Sequence, residues 1–89
     1  MIEKQLTIIN KLGLHARATA KLISVTNNFT SSIEFGKEGH VVNGKSIMSV
    51  MMLAASQGTI LDVTVSGEDE NAAIAAVENI INDRFGEGE

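Results

Sequence analysis

Ile60-Leu61-Asp62-Val63-Thr64-Val65-Ser66 sets Leu61, Val63 and Val65 against Ile60, Asp62 and Thr64, the two-residue alternation of a β-strand. One face of that strand is apolar and the other polar, which describes a sheet covered on one side and wet on the other. Toward the C-terminus, Asp69 and Glu70 mark a helix start, where acids complement the partial positive charge of exposed amides. Ala73, Val77, Ile80, Ile81 and Arg84 continue that helix along one stripe, and residues 85–89 read as a tail, frayed from about residue 86.

Working back toward the N-terminus, residues 46–55 form a short helix with Gly44 before it, Ser46 as N-cap and Gly58 closing the segment. Residues 31–35 and 40–43 are short β-prone runs joined by Gly36-Lys37-Glu38-Gly39, whose glycines permit the positive φ angles of a hairpin turn. From residue 16 to about 27, Ala18, Leu22, Val25 and Phe29 recur at the spacing of one helical face. Residues 3–9 alternate Lys4, Leu6 and Ile8 against Gln5, Thr7 and Ile9, a further strand. The order is βαββαβα. It predicts an α+β open-faced β-sandwich, a four-stranded antiparallel sheet covered on one face by three helices, in a single domain over residues 1–89. Periodicity leaves the pairing order of the strands open.

Composition narrows the function. The chain is 44% hydrophobic and 20% charged, and its formal charge of −4 gives no general attraction to nucleic acid phosphates. Tyr and Trp are absent and three Phe remain for base stacking, so no nucleic acid partner is expected. The absence of cysteine excludes disulfides and thiolate metal sites, and two histidines are a poor basis for any metal. The N-terminal residues open directly into an alternating pattern, without an apolar run suited to a signal peptide or membrane span. A cytoplasmic monomer without cofactor or membrane insertion is the expectation.

His15 stands one residue before the first helical pattern, with Arg17 on the same turn. The first amides of a helix lack intrahelical partners and form an anion site. A phosphoryl group on His15 would have the amides of Ala16, Arg17 and Ala18 and the Arg17 guanidinium within reach of its oxygens. No acid occupies that first turn. A neutral imidazole is a competent nucleophile near neutral pH, and positioning and charge supply most of what a protein contributes to phosphoryl transfer. The plainer alternative is a helix-capping histidine beside a solvated arginine.

Gly13-Leu14-His15-Ala16-Arg17-Ala18-Thr19-Ala20-Lys21-Leu22 resembles the active-site segment of the histidine-containing phosphocarrier family HPr, of the phosphoenolpyruvate-dependent sugar phosphotransferase system. Asn43-Gly44-Lys45-Ser46-Ile47-Met48-Ser49-Val50-Met51-Met52-Leu53 resembles that family's regulatory-serine helix, and Gln57-Gly58-Thr59 extends the similarity. The resemblance implies that His15 is phosphorylated and Arg17 holds the phosphate. It also implies enzyme I as donor, IIA-type proteins as acceptors in sugar uptake or in a nitrogen-related branch, and a carrier rather than a turnover enzyme. By the same resemblance Ser46 is a regulatory site for an HPr kinase/phosphorylase. One departure stands out: the family usually carries proline then alanine after the arginine, where this chain has Ala18-Thr19. Ala18 gains an N–H and loses the fixed φ of proline.

The second helix is apolar almost all round, and a domain this small cannot bury every side of it. Ile47, Met48 and Met51 are expected to face partners, with Val50 and Leu53 inward. Methionine suits a surface that receives several proteins in turn. Residues 39–46 also spell the letters of a P-loop, but His40–Asn43 reads as an antiparallel strand, and His40 as an exposed strand end. A ferredoxin-like regulatory binding module without phosphotransfer shares the βαββαβ order and is the competing reading.

Overall fold

The computed structural model describes residues 1–89. In chain order the elements are β1 (Ile2–Thr7), α1 (Ala16–Thr26), β2 (Ser32–Lys37), β3 (His40–Asn43), α2 (Ile47–Met51), β4 (Ile60–Ser66) and α3 (Glu70–Asn82), followed by a turn at Arg84–Gly86. The sheet order is β1-β4-β2-β3, every neighbour antiparallel. β1 and β3 are therefore the edges. A ferredoxin-like sheet places its first and third strands in the centre, so that arrangement is excluded.

Central β4 sets the register. Val65 lies opposite Ile2 on one side and Ile33 on the other, and Val63 opposite Lys4 and Phe35. Leu61, Val63 and Val65 are buried under the helices. On the open face, Gln5 donates to Asp62 at 2.9 Å. Nineteen buried apolar residues from the sheet, the helices and the tail form one core.

Several boundaries differ from the sequence reading, each for a physical reason. The buried stripe of α1 is Ala18, Thr19, Leu22, Ile23 and Thr26, while Val25 and Phe29 are only half-buried. Threonine can be buried here because its hydroxyl is satisfied: Thr19 donates to the Leu14 carbonyl at 3.1 Å and Thr26 to the Gly44 carbonyl at 2.8 Å. Gly36 and Lys37 belong to β2, and the turn is Glu38-Gly39 alone, both with positive φ, as a two-residue hairpin turn requires. Helix α2 ends at Met51 rather than near residue 55. Ala54 turns left-handed, the Lys37 ammonium caps the carbonyls of Leu53 and Ala54 at 3.1 and 3.2 Å, and Leu53 and Ala55 drop into the core. In α3, Ile74 takes the buried place expected of Ile80, which is half-buried, and Arg84 lies beyond the helix.

The largest correction concerns the tail. Phe85 is fully buried, and both Arg84 and Phe85 adopt positive φ to bring it there. The left-handed conformation costs about 1–2 kcal/mol per non-glycine residue. Burying a phenylalanine returns about 1.5–3 kcal/mol. Gly86 and Gly88, both at positive φ, permit its tight return.

The junction between α1 and β2 is fastened to the start of α3 by one carboxylate. Asp69 receives the backbone N–H of Thr30 at 2.9 Å, that of Ser31 at 3.0 Å, and both residues' hydroxyls. The Ser31 hydroxyl, then the Thr30 amide, hold the Asp69 carboxyl down to about 2. A folded-state value below the unfolded one means that this contribution is complete above the unfolded value, about 3.9. It disappears as pH falls through the folded one. Asp69→Ala is expected to melt several degrees below the wild type at neutral pH, with the gap closing between about pH 4 and about pH 2. Thermal melts of both proteins across that range check it; a gap independent of pH would contradict it.

Candidate functional site

The segment between β1 and α1 is held at three points. Asn10 is fully buried and donates from Nδ2 to the Gly13 carbonyl at 2.8 Å, while the Gly13 N–H returns to the Asn10 carbonyl at 3.2 Å. Gly13 sits at φ +67°, and a Cβ there would lie 2.6 Å from the Ala55 carbonyl oxygen, so only glycine fits the crossing. Immediately after it, the Leu14 N–H donates to that same Ala55 carbonyl at 2.8 Å. The end of the α2 segment is thus bonded to the entrance of α1.

That entrance delivers His15 as the N-cap of α1, with extended backbone and its carbonyl accepting from Thr19 N–H at 2.9 Å. The imidazole makes no cap bond, and its side chain is 30% exposed, neither in the core nor free in solvent. The amides of Ala16, Arg17 and Ala18 donate to no protein acceptor, and no acid lies in the first turn of α1. Arg17 is exposed and belongs to none of the molecule's three ion pairs. Unpaired donors and a free guanidinium at a helix N-terminus are a setting for an anion.

The tail supplies what the sequence reading did not foresee. Glu87 Oε2 contacts His15 Nε2, and Glu87 Oε1 accepts from Asn10 Nδ2 at 2.9 Å. Lys21 reaches back to the Phe85 carbonyl at 2.8 Å, and the Lys11 N–H donates to the backbone oxygen of Glu89 at 2.6 Å. The hydrogen bond from Asn10 holds the Glu87 carboxyl below the usual range; partial burial opposes it, and the bond and charge of His15 add to the lowering. At neutral pH it is a carboxylate. Lys11, His15, Arg17, Glu87 and Glu89 line one shallow recess.

Ser46 is the N-cap of α2, its hydroxyl accepting from Ser49 N–H at 3.3 Å. Of the helix-two side chains, Ile47, Met48 and Met51 are exposed and Val50 and Leu53 buried, as their pattern suggested. Met52, not singled out, is the most exposed of them at 81%. His40 is exposed at the β2–β3 turn and is not among the residues of the His15 recess. The P-loop letters run along β3, hydrogen-bonded antiparallel to β2, where they cannot cradle a phosphate chain. Asn10, Glu87 and Thr19 are the site's supporting residues that sequence reasoning missed; Phe85, a large aromatic just beyond α3, was the available signal that the tail docks.

A family model described as PTS HPr component phosphorylation site matches residues 2–83. The phosphocarrier protein HPr of Xylella fastidiosa strain Temecula1 is 52% identical over 87 residues, covering 98% of each chain. That of Cupriavidus necator is 49% identical over 89 residues, covering 100% of both. The solved structure of HPr-C-His from Thermoanaerobacter tengcongensis superposes with a TM-score of 0.94 at 41% identity, covering 98% of each chain. Crh of Bacillus subtilis, whose structure is described as a swapped dimer, reaches 0.75 at 36% identity over 93% of this chain and 95% of its own. With the match extending over sequence, fold and length alike, this chain belongs to the HPr family of phosphocarrier proteins.

Proposed function

We propose that His15 accepts a phosphoryl group from phosphorylated enzyme I and passes it to IIA-type proteins, the chain acting as a cytoplasmic carrier with no turnover of its own. The observation that carries this reading is a half-exposed imidazole at the N-cap of α1 beside three unpartnered amides and an unpaired arginine. An ionised carboxylate only accepts hydrogen bonds, so the contact with Glu87 places the imidazole proton on Nε2. The lone pair is then on Nδ1, which makes no hydrogen bond in the protein, and Nδ1 is the attacking atom. The amides of Ala16, Arg17 and Ala18 and the Arg17 guanidinium take the phosphoryl oxygens, and positioned charge of this kind is the main lever on phosphoryl transfer.

Partners dock beside the site. Ile47, Met48 and Met51 on α2 and Met52 just after it are exposed, and the segment that follows is bonded to the entrance of α1 through Ala55 and Leu14. Adaptable thioethers fit a surface used by a donor and several acceptors. Ser46, at the start of the same helix, is a regulatory phosphorylation site for an HPr kinase/phosphorylase. A phosphate there adds about −1.5 to −2 charge to the docking face while the N-terminal amides of α2 accommodate it.

Four measurements test the reading. Incubated with phosphoenolpyruvate and enzyme I, the wild type gains the mass of one phosphoryl group and His15→Ala gains none; label persisting in His15→Ala would end the assignment. Arg17→Ala is labelled about a hundredfold more slowly, the scale on which one charge-stabilising donor acts. Met48→Glu and Met51→Glu slow transfer from enzyme I while their thermal melts stay within a few degrees of wild type, because exposed side chains contribute little to stability. A collapsed fold in both would assign those methionines to packing. Ala18→Pro, which removes one of the three free amides, changes the hydrolysis rate of the phosphorylated protein; equal rates would show that the Ala18 amide does not touch the phosphate.

A further inference from the structure

We propose that Glu87, held in place by the buried side chain of Asn10, is a positioning residue for phosphoryl transfer at His15: it fixes the imidazole tautomer and balances the charge the ring acquires. The proposal rests on the reading of His15 given above and adds to it a residue from the opposite end of the chain.

Four features of the tail converge on this contact. The chain leaves α3 through two consecutive left-handed non-glycine residues, an arrangement that persists only where surrounding contacts impose it. Phe85 is buried by that turn, Lys21 binds its carbonyl, and the Glu87 N–H donates to the Arg84 carbonyl at 2.9 Å. The Glu87 carboxylate then divides its two oxygens between Asn10 Nδ2 and His15 Nε2. Asn10 cannot swing away, since it is fully buried and its Nδ2 also holds the Gly13 carbonyl two residues before His15. One amide therefore fixes both the backbone that carries the imidazole and the carboxylate that orients the ring.

The chemistry follows from which nitrogen is engaged. The Nδ1 lone pair forms the new N–P bond as the bond between phosphorus and the donor protein's phosphorylated side chain breaks, its electron pair leaving with the donor. The proton on Nε2 stays where it is, so the ring becomes a phosphorylated imidazolium. The Glu87 carboxylate meets that positive charge across the Nε2–H bond, on the side of the ring away from Nδ1. Transfer to an acceptor reverses the sequence and returns the neutral ring. The other charged groups facing the recess are Lys11, Arg17 and Glu89, with Lys21 beside the turn; none of them contacts Nε2.

Glu87→Gln is nearly isosteric, but its single amide oxygen can accept from Asn10 Nδ2 or from His15 Nε2 and not from both, and its charge is lost; Glu87→Asp keeps the charge and shortens the reach. Nitrogen-15 NMR of the His15 ring in the unphosphorylated proteins reads the tautomer directly, and rapid-quench labelling by enzyme I reads the rate. The wild type should hold the proton predominantly on Nε2. Glu87→Gln should keep the wild-type fold, lose the single-tautomer signature in part, and take up phosphoryl about tenfold more slowly, the lower end of what orienting partners of a reactive imidazole supply. Its phosphorylated form should also hydrolyse at a changed rate, and Glu87→Asp should recover part of each effect. Unchanged tautomer and uptake within twofold in Glu87→Gln overturn the proposal and leave the carrier reading intact. An unlabelled wild type, or label at a side chain other than His15, overturns the carrier reading and this proposal with it.

Discussion

A sheet with one dry face has to gather every helix, and the returning tail, on that same side. Leu61, Val63 and Val65 on β4 define the side, and the helices and Phe85 complete a core of nineteen apolar residues against it. Two consequences reach the functional surface. Helix α2, five residues long, turns Val50 alone inward from within its own span and leaves Ile47, Met48 and Met51 to solvent. The first turn of α1 lies beside the end of that segment, because the Leu14 N–H needs the Ala55 carbonyl and Gly13 allows the two backbones to meet. Exposed apolar side chains and a helix end with three unpartnered amides are neighbours as a result of how the layer is filled.

Within that layer the strength of the individual restraints differs. The three amides and Arg17 form a standing positive field for an anion, and a helix terminus contributes about 0.3–1 kcal/mol toward a surface charge. The tail that brings Glu87 to His15 is closer to balance. Its two left-handed residues cost about as much as burying Phe85 returns. The hydrogen bonds from Asn10, Lys21 and Lys11 are then what keep it closed. The carboxylate opposite the imidazole is thus held in place by polar contacts rather than by apolar burial.

Strands and helices were legible because their faces are chemically distinct: β4 alternates cleanly, and its buried set is the one its letters give. His15 was legible as a helix entrance for the same reason, and its two motifs carried the family. Less legible were features that depend on polar groups satisfied at a distance. Thr19 and Thr26 read as polar, yet carbonyls at Leu14 and Gly44 let them enter the core. Asn10 lies just past the alternation of residues 3–9, and nothing local marks it as a buried clamp that reaches residue 87. Glycines at 86 and 88 signal a loose end and a tight return equally well, so the site's only carboxylate ligand to the ring went unseen. Strand order was equally out of reach, since alternation says which face is dry and not which edges meet.

The departure at Ala18-Thr19 acquires a physical meaning from these contacts. Proline at the first of these positions would stiffen the helix entrance through its ring and remove an N–H that the helix cannot use. This chain stiffens the same entrance differently, with the buried Thr19 hydroxyl bonded to the Leu14 carbonyl, a bond of about 0.5–1.5 kcal/mol. It keeps the Ala18 N–H, which finds no acceptor within the protein. A buried donor left without a partner is unfavourable. The same substitution that gives up a rigid ring therefore leaves the helix entrance with one more donor that the protein itself does not satisfy.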